Sequence, residues 1–181
     1  MIVRRFHGLL VDLNAPMDLQ EVALQMMVQE QQHADLCMAA ARALGSDGEI
    51  GFEIGELQQA RDDEALELQL MRMVCATYAT GEVVAFALIR HALEALSPTP
   101  FREVLREIAA DEVLHARIGL LLIDHLRRNP KNNWLHYPGD RWVEDCVRES
   151  LRELRKRDVV EQDEAALFTD LEAAEQLDLL G

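Results

Sequence analysis

Apolar side chains recur every three or four residues along most of this chain, which is the spacing of one face of an α-helix. The pattern predicts helices over residues 1–13, 18–44, 62–96, about 99–128 and 140–157. Strand signals are absent from the whole sequence. We therefore expect an all-α protein, organised as a helical bundle over residues 1–130 with a C-terminal helical extension over residues 131–181.

Local signals place the helix ends and the connections. Asp18 with Glu21 three residues later has the spacing of a capping box, and either Ser97 or Thr99 could cap the fourth helix. Gly81 is expected to break the third helix, and residues 46–60 are expected to form a loop. The acidic segment from residue 161 is predicted to pair with the helix before it, docked on the bundle or on another subunit.

Acids and imidazoles interrupt the apolar stripes of three helices. The fourth helix carries Glu112 and His115 on the face that should be buried, and the second helix repeats this Glu-x-x-His pattern with Glu30 and His33. The third helix has one acid, Glu82, in its stripe. Because an unpaired buried carboxylate is costly, these groups need a partner, and a metal ion suits both kinds of side chain.

The two motifs are separated by a constant offset. The glutamates are 82 residues apart (112 − 30), and so are the histidines (115 − 33). The prolines at positions 16 and 98 have the same separation. We infer a duplicated helical hairpin, whose two copies would bring the motifs to opposite sides of one centre.

At this point the sequence resembles the ferritin-like superfamily of carboxylate-bridged dimetal proteins, which includes rubrerythrin-like and oxygenase-like members. That family uses one Glu from each of two helices and Glu-x-x-His from each of the other two. The resemblance covers about residues 1–128 and implies an up-down bundle that binds two metal ions. The implied ligands, matched residue by residue, are Glu30, His33, Glu82, Glu112 and His115.

One family ligand has no counterpart in this sequence. The offset places the equivalent of Glu82 at position 0 (82 − 82), just before Met1. We expect a longer native chain, a ligand from another chain, or a site with five protein ligands plus water. His7 is a poor substitute, because it lies two turns along the same face, about 10 Å away by helix rise.

Several neighbouring residues have two interpretations. Tyr78, one turn before Glu82, is expected to pack in the core, with a hydrogen-bonding or redox-active role beside the metals as the alternative. Asp111 is expected either to hydrogen-bond a ligating histidine or to lie on the surface. Cys37 and Cys75 are interpreted as small core residues rather than ligands.

The composition limits which cellular locations and which classes of partner we expect. With 18 basic and 33 acidic residues, the formal charge of −15 disfavours nucleic acid and anionic membranes as partners. The three cysteines form no disulfide framework, and we find neither a signal peptide nor an apolar run of membrane-spanning length. The cytoplasm is the expected location, and a homodimer is a reasonable expectation for a short bundle with an amphipathic extension.

Carboxylate-rich ligation with two imidazoles suits iron, or alternatively manganese, rather than structural zinc. The resemblance implies a non-haem di-iron oxidoreductase that activates dioxygen or peroxide on an unidentified small-molecule substrate. A reductant, if the reaction needs one, would come from an external donor. The alternatives are an iron-binding protein without substrate turnover and a structural or interaction module with a degenerate metal site.

Overall fold

A computed structural model describes most of the chain. It covers residues 2–43, 45–46, 63–130 and 133–156. Within these residues the structure contains five helices and no strands, which confirms the all-α class. Most of the predicted loop at 46–60 and the whole acidic segment from residue 161 lie outside the described residues.

The five helices follow the apolar periodicity closely. They are α1 (Ile2–Asp12), α2 (Met17–Ala43), α3 (Leu66–Ala95), α4 (Pro100–Arg128) and α5 (Asp140–Lys156). Helix α4 begins where one of the two candidate caps predicted it, because Thr99 Oγ1 accepts a hydrogen bond from the Arg102 N–H at 3.2 Å.

Two predicted helix boundaries are wrong. Helix α2 begins at Met17, so Asp18 lies inside the first turn and its carboxylate accepts from the N–H of Leu19 instead of acting as the cap. Helix α3 begins at Leu66, later than predicted, and continues through Gly81 without a break. Gly81 itself has helical dihedral angles, φ −59° and ψ −52°, because a single glycine weakens a helix without ending it.

The middle of α3 differs from its two ends. Val74–Gly81 is π-helical, between α-helical segments at Leu66–Met73 and Glu82–Ala95. Within it the Thr80 hydroxyl donates to the Cys75 carbonyl at 2.8 Å. A π-helical stretch changes the register of the side chains that follow it and is frequent at functional sites. Here it immediately precedes Glu82.

One hydrophobic core joins all five helices. Its fully buried members include Phe6 and Leu10 of α1, Met26 of α2 and Leu126 of α4. The same core includes three residues beyond position 130: Leu135, Val143 and Cys146. Helix α5 thus packs on the π-helical part of α3 and shares the core of the bundle.

The backbones of helices α4 and α3 are in direct contact at Gly119. A Cβ placed on Gly119 would lie 2.5 Å from the backbone nitrogen of Ala79 and 2.6 Å from the carbonyl carbon of Tyr78. Real Cβ atoms do not approach backbone so closely, so residue 119 must be glycine for the two helices to touch here. This contact fixes the position of Glu82 along the helix axis relative to the Glu-x-x-His motif of α4.

Helix α3 bears on the expectation that the sequence contains no apolar run of membrane-spanning length. Among the residues described, it is the one helix long and apolar enough to cross a membrane by length and composition, although no run of that length was expected. One such helix is weak evidence by itself, and α3 packs against α1, α4 and α5. The helix is therefore weak support for a membrane, and the cytoplasmic location stays a prediction.

Replacing Gly119 with alanine should destabilise the protein by about 1–3 kcal/mol, because the added methyl group forces two backbones apart. The free energy of unfolding in urea, followed by circular dichroism, measures the effect. Gly8 is the matched control: a Cβ there meets nothing within 4 Å. Gly8→Ala should leave stability unchanged or raise it by up to about 1 kcal/mol. Equal stability of the two variants would contradict the close contact.

Candidate metal centre

Three helices bring acids and an imidazole to one point. Glu30 of α2, Glu82 of α3, and Glu112 and His115 of α4 each offer a ligand atom, and these atoms all lie within 4.8 Å of one another. The group contains four of the five ligands predicted from the sequence. The fifth, His33, lies beside it, with its Nδ1 atom 3.2 Å from Glu112 Oε1.

Glu112 lies between the two imidazoles. Its Oε1 atom faces Nδ1 of His33, and its Oε2 atom is 3.4 Å from Nδ1 of His115. The centroids of the two rings are 5.9 Å apart. A carboxylate in this position can serve an ion on each side, as the resemblance implies for the glutamates of the two motifs.

Two buried polar atoms at the centre lack a hydrogen bond. They are Oε2 of Glu112 and Nδ1 of His115. Oε1 of Glu30 lies 3.0 Å from the His115 nitrogen, which makes an ion pair when the ring is protonated. Buried polar groups are nearly always paired, so such atoms need an explanation. A metal ion among the three carboxylates and the imidazole would pair both atoms, so these residues fit a metal.

The outer nitrogen of each imidazole is hydrogen-bonded. Nε2 of His33 lies 3.2 Å from Asp111 Oδ2, and Nε2 of His115 lies 3.2 Å from Gln29 Oε1, each within hydrogen-bond distance. Gln29 Nε2 donates in turn to Asp111 Oδ1 at 2.9 Å. Asp111 thus makes the histidine contact that was one of its two expected roles. Such outer partners hold a ligating ring in place and set its tautomer.

Sequence reasoning missed Gln29, although a signal for it was present. Gln29 and Asp111 are separated by 82 residues (111 − 29), the same offset as the two motifs. The contacts also cross between the copies. His33 lies near Glu112, and His115 lies near Glu30. The duplicated hairpins therefore contribute equivalent contacts on the two sides of the centre.

Crowded charge shifts the pKa values of the metal-free site. Burial, with the nearby Glu112 and Glu30 carboxylates, raises the pKa of Glu82 to about 7. Burial alone would lower the pKa of His115, but its contacts with Glu112 and Glu30 outweigh that effect and raise it to about 10. The contact with His115 lowers the pKa of Glu30 despite burial. Part of the group therefore holds protons that a bound metal would displace.

Tyr78 has the core role expected for it, and its alternative role beside the metals stays a prediction. It is fully buried, and its ring packs on Phe6 with centroids 4.5 Å apart, so it is a core residue. Its hydroxyl oxygen nevertheless has no hydrogen-bond partner. Burial raises the pKa of Tyr78 well above its usual range, and the carboxylates of Glu82 and Glu30 add to the shift. The ring is therefore close enough to sense the charge of the centre.

The remaining candidates lie outside the centre. His7 is half-buried on α1 and does not join the ligand group. Cys75 is buried as predicted, but the prediction for Cys37 is wrong, because that side chain is exposed. The reason is the difference in helix length. Helix α1 has 11 residues and α2 has 27, so α1 can cover only part of α2.

The fold and site define an all-α protein with a convergent carboxylate–histidine group. Comparison of the chain with protein-family models, with curated proteins and with solved structures finds no match. The family relationship therefore remains a prediction from the motifs.

Replacing Glu82 with glutamine should stabilise the metal-free protein at pH 8. A carboxyl whose pKa is raised in the folded state binds more protons when folded, so its contribution to stability falls as pH rises from about 4.5 to about 7. Glutamine carries no charge at any pH, so the variant does not lose stability as the pH rises through this range. Thermal unfolding in chelator at pH 4 and pH 8 measures the difference, which should vanish at the lower pH.

Glu94→Gln is the control for this variant, because Glu94 is exposed on the same helix. It should change the melting temperature little at either pH. A Glu82→Gln variant that is no more stable than wild type at pH 8 would show that the metal-free carboxylates do not repel each other in the folded state.

Proposed function

We propose that this chain is a ferritin-like helical bundle protein that binds a dimetal centre. The supporting observation is the pair of unpartnered buried atoms, Glu112 Oε2 and His115 Nδ1, facing the carboxylates of Glu30 and Glu82. One ion would be held by these four residues. A second would be held beside His33, with Glu112 shared between the two.

We propose iron as the metal, with manganese as the alternative, because oxygen-rich ligation with imidazole suits both. Two ferrous ions would supply the electrons that reduce dioxygen or peroxide. The protein residues would hold the ions, keep the imidazoles oriented through their outer hydrogen bonds, and exclude water on the α4 side, where His115 is fully buried. The proposed activity is that of an oxidoreductase with a small-molecule substrate and an external electron donor.

Iron handling without substrate turnover is the second candidate. It is favoured by the side chain of Glu30, which is 40% exposed, while that of Glu112 is only 7% exposed. A half-exposed ligand gives solvent a direct route to the centre, so an ion could enter and leave there. Iron uptake well beyond two ions per chain would support handling. An absorbance change of the ferrous protein on mixing with dioxygen or peroxide, followed by multiple turnovers, would support the oxidoreductase.

Glu112→Gln should remove at least one metal ion per chain, because the wild-type carboxylate lies between both imidazoles and glutamine is a poor ligand. Elemental analysis of protein purified from iron-supplemented cells measures the content, and about two ions per chain are expected for the wild type. Glu107→Gln, at an exposed position of the same helix, should retain them.

Two results would count against the proposal. Full metal content in Glu112→Gln would remove Glu112 from the site. Wild-type protein that carries neither iron nor manganese, and takes up neither when they are added to the purified protein, would contradict the metal centre itself.

A further inference from the structure

We propose that Gln29 and Asp111 are a positioning pair, whose hydrogen bond fixes the tautomers of both site histidines. The inference rests on the proposed metal centre for its purpose. Its geometry is independent of any metal, since it concerns the outer nitrogens of the rings. The pair would ensure that both Nδ1 atoms, which face Glu112, are free to bind metal.

The argument begins with the chemistry of Asp111. An ionised carboxylate only accepts hydrogen bonds, so Gln29 must direct its NH2 group at Asp111. The amide of Gln29 then has one orientation, and its Oε1 atom is the atom that faces His115. A carbonyl oxygen also only accepts. Nε2 of His115 must therefore carry a proton.

The other half of the pair acts on His33. The second oxygen of Asp111 lies 3.2 Å from Nε2 of His33 and can only accept, so this nitrogen must carry a proton as well. A neutral imidazole has one protonated and one unprotonated nitrogen. When each ring is neutral, as metal binding requires, its one proton is on Nε2 and both Nδ1 lone pairs are left on the side of the carboxylates.

The two halves depend on each other because of the direct Gln29–Asp111 contact. If the proton of either ring moved to Nδ1, Nε2 would become an acceptor facing an acceptor, and one part-buried hydrogen bond would be lost. The chain uses a neutral amide beside His115 and a charged carboxylate beside His33. This difference lets the two outer residues bond to each other, which two carboxylates could not do without a shared proton.

Asp111→Asn tests the pair, because asparagine has the same shape but offers one acceptor and one donor. If its carbonyl accepts from His33, its NH2 group faces Gln29. Gln29 must then turn its carbonyl to that group and its own NH2 to His115, whose Nε2 loses its proton. If the asparagine is turned the other way, His33 loses the proton instead. Either orientation leaves one histidine with a protonated Nδ1 that cannot bind metal.

The double variant Gln29→Glu/Asp111→Asn should restore both tautomers. The new carboxylate at position 29 accepts from the asparagine NH2 and from His115, while the asparagine carbonyl accepts from His33. The charge of the pair is unchanged and only its polarity is reversed. A purely structural role for either side chain would not predict rescue by a second substitution.

Asp35→Asn is the matched control. Asp35 accepts from Gln31 Nε2 at 3.1 Å, so the substitution alters an exposed glutamine–aspartate hydrogen bond of the same helix as Gln29. That pair has no histidine contact among the described residues. The control should therefore have wild-type metal affinity and wild-type tautomers.

Two measurements read the outcome. Long-range ¹H–¹⁵N NMR reports which nitrogens of each imidazole carry a proton, in Zn²⁺-loaded protein and in metal-free protein. Competition with a chromophoric chelator reports Zn²⁺ affinity. We expect Nε2–H on both rings of the wild type, an Nε2 without a proton on one ring of Asp111→Asn, and affinity lowered about 10–100-fold in that variant. The double variant should return to within about threefold of wild type.

The results separate this inference from the proposed function. An Nε2 atom without a proton on either ring of metal-free wild type would overturn the positioning role without any variant. So would unchanged tautomers and affinity in Asp111→Asn, or a double variant as weak as Asp111→Asn. Wild-type protein that binds no Zn²⁺, iron or manganese would instead overturn the metal centre, while its metal-free tautomers would still decide the positioning role.

Discussion

The contact on which the candidate centre depends is the backbone approach of α4 to the π-helical part of α3. It is allowed because residue 119 has no side chain. Glu82 lies one turn beyond this contact on α3, and His115 lies one turn before it on α4. Both helices are rigid over one turn, so the contact fixes where their acidic side chains and the imidazole lie relative to one another along the helix axes. A side chain at position 119 would separate the helices and the ligands with them.

The centre concentrates charge that the metal-free protein tolerates only by holding protons. Three carboxylates converge on one fully buried imidazole. Burial, with the Glu112 and Glu30 carboxylates, raises the pKa of Glu82, and the same two carboxylates raise the pKa of His115 against the effect of burial. In both cases the added proton reduces the net negative charge of the group. A divalent ion would provide the same compensation more completely. The proposed metal site and the proton-holding behaviour are thus two consequences of one arrangement.

The duplicated motif gives the centre an approximate twofold pattern, and the outer residues break it. His33 contacts a carboxylate through Nε2, whereas His115 contacts an amide. A carboxylate partner makes an imidazole a stronger electron donor than an amide partner does. Two ions bound here would therefore differ in their surroundings, even though their ligands come from equivalent positions of the two hairpins.

Local pattern was enough to predict the helices, apart from two of their boundaries, and to place the five proposed ligands on the facing sides of three helices, because both depend on helical periodicity. The offset of 82 residues also anticipated that His33 and Glu30 would meet Glu112 and His115 from the opposite side. Periodicity indicates which face of a helix is apolar, but it does not say how far a neighbouring helix covers that face. This is why Cys37, in the stripe of α2, is exposed.

Tertiary structure alone decided the features that depend on two helices at once. The π-helical part of α3 lies where α4 and α5 pack against it, and the sequence indicated only a break at Gly81, its last residue. The role of Gln29 depends on Asp111, which belongs to another helix. A residue's own neighbours in sequence carry the information for its helix and its face, whereas its hydrogen-bond partner across the bundle is set by the packing of the whole chain.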